Sequence, residues 1–106
     1  MSLERIIGSL TEIGLTRLQA EVYVYLAKKG PKTIGCLSKT LFYNRKEIEK
    51  GLKVLQSKGL ITRNQLMFCA LPFEQVLTLL IETKKEQAQD VIKKKEELIV
   101  TWENND

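Results

Sequence analysis

Side chains with chemistry to offer gather in one stretch, TIGCLSKTLFYNRKEIEKGLKVLQSK, residues 33–58. Arg45, Lys46, Lys50 and Lys53 recur at spacings that place them on the outer side of a helix, and Asn44 and Glu49 lie among them. Fixed cations on a helix recognise anions. Lysine ammonium groups neutralise phosphates, whereas an arginine fork can also grip a guanine edge through two hydrogen bonds. Within this helix only Arg45 offers the second kind of contact. Glu49 has two uses: it can accept from cytosine N4, or it can pair with Lys53 one turn later, which is the slightly stronger reading. Lys32, Thr33 and Lys39 are candidate phosphate contacts ahead of this helix, although Thr33 serves equally well as a helix cap. Arg63, downstream, is the candidate contact at the tip of a short hairpin.

Other chemistries are poorly served. The chain has no histidine, and its two cysteines, Cys36 and Cys69, stand far apart, so a Cys/His zinc site is not expected. There is no glycine-rich phosphate loop, nucleophile elbow or acid pair suited to shared proton transfer, because Glu47 and Glu49 face different sides of one helix. The expectation is a non-enzyme with no catalytic residue, no cofactor and no metal. The thiols read as reduced, the apolar runs are too short to span a membrane, and the N-terminus lacks a signal-peptide core. A cytoplasmic protein without a membrane partner is expected.

The net charge of +4 and pI of about 9.1 favour an anionic partner. That charge is unevenly spread: residues 1–71 carry a net +7 and residues 72–106 a net −3. A basic body followed by an acidic segment concentrates the positive field on one part of the molecule.

The elements that must position these groups are legible from periodicity. Leu3, Ile6, Ile7, Leu10 and Ile13 predict a helix over residues 2–13, closed by Gly14. Thr16 with Gln19 forms a capping-box pattern for a second helix over 16–29, with Leu15, Leu18, Val22, Tyr25 and Leu26 as its buried stripe. Gly30-Pro31 stops it. Thr33 caps a short third helix that ends near Thr40 or Leu41. Phe42 and Tyr43 are expected to plug the core beside the break that follows. Asn44 with Glu47 starts a fourth helix, with Ile48, Leu52 and Leu55 inward and Gly59 at its end. Two β-prone runs around Arg63-Asn64-Gln65 predict a tight hairpin.

From Pro72 to about Glu103 no breaker occurs. Leu77, Lys84, Val91 and Leu98 fall on one heptad position and Ile81, Ala88, Lys95 and Trp102 on the other. Such a helix has more apolar surface than a 71-residue body can cover, so a homodimer through these eight residues is expected. The fold class is mainly α with a small β-hairpin: a winged helix-turn-helix over 1–71 and a long, coiled-coil-like dimerisation helix over 72–106.

Particular residues carry a resemblance. Gly14-Leu15-Thr16, Gln19-Ala20-Glu21-Val22-Tyr23, Leu26, Gly30-Pro31, Leu37-Ser38-Lys39, Arg45, Ile48, Leu52, Leu55 and Lys58-Gly59-Leu60-Ile61 resemble TrmB-type archaeal transcriptional regulators over about residues 10–103. The resemblance implies a DNA-binding winged helix whose second helix-turn-helix helix reads the major groove, often as a dimer. Full-length sugar-responsive members carry an effector domain after the long helix. This chain ends where that domain would begin, so no small-molecule effector is expected. Two further departures stand out: the turn has Phe42 and Asn44 where a small or glycine residue and then a capping proline are common, and Glu47 and Glu49 sit where related recognition helices usually carry neutral or basic groups. Two readings remain beside the regulator: a protein-interaction module, and an architectural chromatin protein with weak sequence preference.

Overall fold

The computed structural model describes residues 3–104, apart from the side chains of residues 90–92, 94, 95, 98, 103 and 104. The order is α1 (Leu3–Glu12), α2 (Arg17–Lys29), α3 (Ile34–Leu41), α4 (Arg45–Ser57), β1 (Ile61–Asn64), β2 (Met67–Ala70) and α5 (Phe73–Asn104). This is a winged helix-turn-helix followed by one long helix.

Local sequence sets most boundaries. Thr16 accepts from the Gln19 backbone while the Gln19 side chain accepts from Thr16 N–H, and Asn44 and Glu47 repeat the same reciprocal box. Two helices close by one device. Leu15 N–H donates to Leu10 at 3.2 Å and Gly14 N–H to Thr11 at 3.2 Å; Leu60 donates to Leu55 at 3.0 Å and Gly59 to Gln56 at 3.0 Å. These are Schellman closures, and the glycines take φ of 117° and 76°, where a Cβ would be strained. Each closure stacks two fully or nearly buried leucines, Leu10 on Leu15 and Leu55 on Leu60.

α2 is the central post. α1, α3, α4 and β2 all pack on it. It therefore buries Gln19, Ala20, Val22, Tyr23, Val24 and Leu26, a wider set than the single stripe expected from periodicity. Tyr25 and Leu18 of that stripe are only partly buried, because they sit at the margins of a helix covered almost all round. α4 lays Ile48, Gly51, Leu52 and Leu55 against this post.

The strands pair antiparallel, from Ile61 with Ala70 to Asn64 with Met67. The hairpin turn is therefore Gln65-Leu66, with Gln65 at φ 59°, and not Arg63-Asn64-Gln65. Arg63 consequently lies within β1, opposite Phe68, instead of at the tip. Leu60 serves both elements: its N–H closes α4 on Leu55, while its carbonyl accepts from Leu71 N–H at 3.1 Å and so continues the same register, which leaves only Gln65 and Leu66 for the turn. A bridge between Lys32 and Phe68 adds a third, one-residue strand on the other side of β2.

α5 begins inside the body. Val76 and Leu80 are 0% and 4% exposed and belong to the core, so packing continues past residue 71. Among the expected seam residues, Leu77 is half-buried against the core, whereas Ile81, Ala88 and Trp102 are exposed. Lys84 is bound within its own chain: its ammonium donates to the Glu12 carbonyl at 2.6 Å, satisfying an orphan acceptor at the end of α1. Val91, Lys95 and Leu98 lie outside the described side chains. Among the described residues no helix is long and apolar enough to cross a membrane.

Candidate nucleic-acid interface

The fold turns the cations of α4 outward. Lys46, Lys50 and Lys53 follow at i, i+4 and i+7, all exposed, on the side of α4 opposite Ile48, Leu52 and Leu55. Burial of that leucine and isoleucine ridge therefore fixes which side the lysines present. Gly51 lets the two helices approach closely, since a Cβ there would lie 2.5 Å from a Leu18 methyl carbon.

Arg45 and Glu49 sit on one flank of the lysine stripe. Glu49 faces Arg45 at 3.8 Å, so the helix pair expected with Lys53 is replaced by one running toward the helix start. The Arg45 Nε reaches forward one turn to the Glu49 carboxylate, and Lys53 stays on the outer stripe with its fellow lysines. Both partners are well exposed, 70% and 46%, and such a pair is worth only a few tenths of a kcal/mol, so an incoming phosphate or base edge displaces it easily. Glu47 sits on the other flank and is spent on the cap: Asn44 Oδ1 accepts from Glu47 N–H at 2.8 Å, and Asn44 N–H donates to the Glu47 carboxylate at 3.3 Å. Neither acid stands in the middle of the basic stripe.

The remaining expected contacts surround this helix. Thr33 is the cap of α3, its hydroxyl oxygen accepting from Cys36 N–H at 3.3 Å. Lys39 is exposed in the last turn of α3. Lys32 and Arg63, far apart in sequence, are brought to either side of Phe68, one by the bridge and one by strand pairing, about 10 Å apart. Arg63 is anchored: its Nε donates to the Gln65 carbonyl at 2.8 Å and its guanidinium lies over the Phe68 ring at 5.5 Å. The tip itself presents Leu66, 71% exposed.

The turn between α3 and α4 departs from expectation in one residue. Tyr43 packs against the core, as read from the sequence, and its pKa is held above the ordinary tyrosine value chiefly by a hydrogen bond to Glu21. Ser38 Oγ donates to the Tyr43 carbonyl at 2.6 Å. Glu21 in turn pairs with Arg17 at 3.0 Å, and Arg17 with Glu4 at 2.6 Å, which raises the pKa of that guanidinium further. Phe42 does the opposite of plugging the core. It is 92% exposed and holds φ 60°, ψ 37°, a left-handed conformation that costs an L-residue about 1–2 kcal/mol. Tyr43 takes the inward place, and the turn aims Phe42 out. The one hint in the sequence was its departure from the small residue usual at this turn.

Among the described residues no group of His, Cys, Asp or Glu could hold a metal ion. What the arrangement offers is a row of free ammonium groups on a helix start, flanked by a wing. The sequence model of a family described as "Sugar-specific transcriptional regulator TrmB" matches residues 10–74, which span α2, α3, α4 and the hairpin. The chain belongs to the TrmB family. Membership identifies a DNA-binding transcription regulator, and the matched segment contains the whole lysine-bearing helix-turn-helix. Neither a search of curated proteins nor one of solved structures found a match.

Proposed function

We propose that the protein binds double-stranded DNA as a homodimer, each copy laying α4 in a major groove with the β1–β2 wing beside it. The observation that carries this reading is the Lys46, Lys50 and Lys53 stripe directly opposite the core ridge of a helix-turn-helix. Lysines supply phosphate affinity, and Arg45 supplies the base contact, released from Glu49 on binding. Lys32, Thr33 and Lys39 meet the flanking backbone, Asn44 and Glu49 line the start of the helix, and Arg63 meets backbone from β1, one pair short of the wing's turn. Residues 1–71 hold the contact surface and 72–106 the pairing surface.

The pairing surface has its own support. Leu77 and Ile81 each follow a core residue, Val76 or Leu80, by one position, so they lie about 100° round the helix from the body-facing side. Ile81 and Trp102, 44% and 83% exposed, are three heptads apart, so they fall on one seam once the helix supercoils with a partner. Two-fold pairing predicts a palindromic site with half-sites about 10 bp apart or a multiple of it. A protein-interaction module would use the acids of α4, and of these Glu47 is engaged in the cap.

Selection from a random duplex library, followed by binding of the selected duplex in rising salt, tests the proposal. A palindromic consensus with affinity falling steeply as salt rises is expected. Equal affinity for random and selected duplexes points to an architectural role, and no binding at low salt overturns the DNA reading.

A further inference from the structure

Phe42 is exposed, strained and alone. It holds a left-handed backbone that glycine would adopt without cost, and it does so with a large aromatic side chain. The turn is held in that shape from both sides: Ser38 grips the Tyr43 carbonyl, and Tyr43 packs inward beside Glu21. These ties fix the conformation without any contribution from the Phe42 ring, which is 92% exposed. A ring kept in water at the expense of backbone energy has no folding role in this chain.

Its neighbours say what it faces. Lys39, Thr40, Asn44, Arg45 and Lys46, the nearest exposed residues on either side, are all polar, and three are cations. One ring amid cations is too small for a protein-docking patch, which needs a contiguous apolar area. It suits a polyanion that also offers small apolar groups at its surface. Duplex DNA has one such group in the major groove, the C5 methyl of thymine, and phenylalanine is among the side chains that meet it. Asn44, the cap of α4, is two residues on, so its Cα is within roughly 7 Å of the Phe42 Cα.

We propose that Phe42 is a specificity-determining contact, its ring packing on a thymine methyl at the edge of the groove that receives the start of α4. This rests on the DNA-binding reading above. Arg45 then reads a guanine edge and Phe42 an adjacent thymine, so the helix start recognises a two-base step with two different chemistries.

The experiment replaces each thymine of the selected duplex in turn by deoxyuridine, which removes only the methyl group, and measures affinity for the wild type and for Phe42→Ala. The ring is exposed, so the variant folds, and coincident thermal unfolding curves verify this. In the wild type, one thymine position per half-site is expected to lose about four-fold in affinity, the worth of one buried methyl-sized group. In Phe42→Ala that difference disappears, and affinity for the thymine duplex falls to the wild-type value on the uracil duplex or below it. Phe42→Leu, which keeps an apolar tip, retains the methyl preference. A wild type indifferent to every replacement, or a Phe42→Ala variant that keeps the preference, overturns the assignment while leaving the DNA reading intact. Absence of any duplex binding at low salt overturns both and is recognised by that.

Discussion

Tyr23 ties the body to the last helix through a single side chain. Its ring is fully buried on α2, and its hydroxyl donates to the Leu71 carbonyl at 2.6 Å, immediately before the turn into α5. Burial disfavours the phenolate and pushes the pKa up to about 12, against 10.0 for an ordinary tyrosine. The folded state therefore holds its proton where the unfolded chain has lost it. Below pH 10 this group leaves stability unchanged with pH; between about 10 and 12 stability falls, by on the order of 2 kcal/mol. Tyr23→Phe gives up the hydrogen bond and costs about 1 kcal/mol at neutral pH, but it lacks this pH slope. Urea unfolding of both proteins at pH 9, 10.5 and 12 checks this, since the other tyrosines and lysines cancel in the difference. Parallel stability curves would show that Tyr23 ionises freely in the folded protein. Neither its burial nor the exposure of Phe42 was legible from periodicity. A single stripe underestimates a helix packed on by four elements, whose wet side narrows to a strip through Arg17, Glu21 and Lys28, and a turn's left-handed residue is set by the elements it joins.

At the scale of elements, the contact between α2 and α4 decides where the lysine stripe points. Gly51 sits where the two helices meet, with the Leu18 methyl carbon filling the space a Cβ would take. Gly51→Val gains roughly 0.3 kcal/mol of helix propensity but must displace the terminal methyl of half-buried Leu18, so the cost falls at the low end of the 1–3 kcal/mol typical of overpacking. A net loss of about 1 kcal/mol in chemical denaturation is expected. Unchanged stability would mean that Leu18 rotates away freely and that the close approach does not position α4. Caps were the elements' most legible feature. Thr16 with Gln19 and Asn44 with Glu47 satisfy each other within three residues, so no distant contact can overrule them. The wing was legible as a hairpin but not in register. Gln65-Leu66 carries none of the glycine or asparagine signals of a two-residue turn, so nothing local in the sequence marks where the chain reverses.

For the whole molecule, the governing feature is a helix longer than the body it leaves. The chain measures 61 × 30 × 23 Å, and α5, of 32 residues, accounts for about 48 Å of the long axis. Its first turns are core, through Val76 and Leu80, and Lys84 pins it to the end of α1. Beyond that point Ile99, Val100 and Trp102 are 48%, 55% and 83% exposed, a surface a lone chain leaves wet. Paired with a second copy, this stretch would hold two lysine stripes at a fixed separation, and the number of phosphates neutralised per binding event would double. Salt dependence reports that number directly, because the slope of log affinity against log salt is about −0.9 per phosphate. Ile81→Glu combined with Trp102→Glu places like charges on the proposed seam without touching Val76, Leu80 or α4. The double variant is expected to sediment as a monomer, to melt in chemical denaturant at the wild-type single-chain stability, and to bind DNA with about half the wild-type salt slope. A variant that still sediments as a dimer removes the seam from α5. A monomeric variant with an unchanged salt slope separates pairing from DNA binding, and leaves one copy of α4, with its wing, as the complete contact.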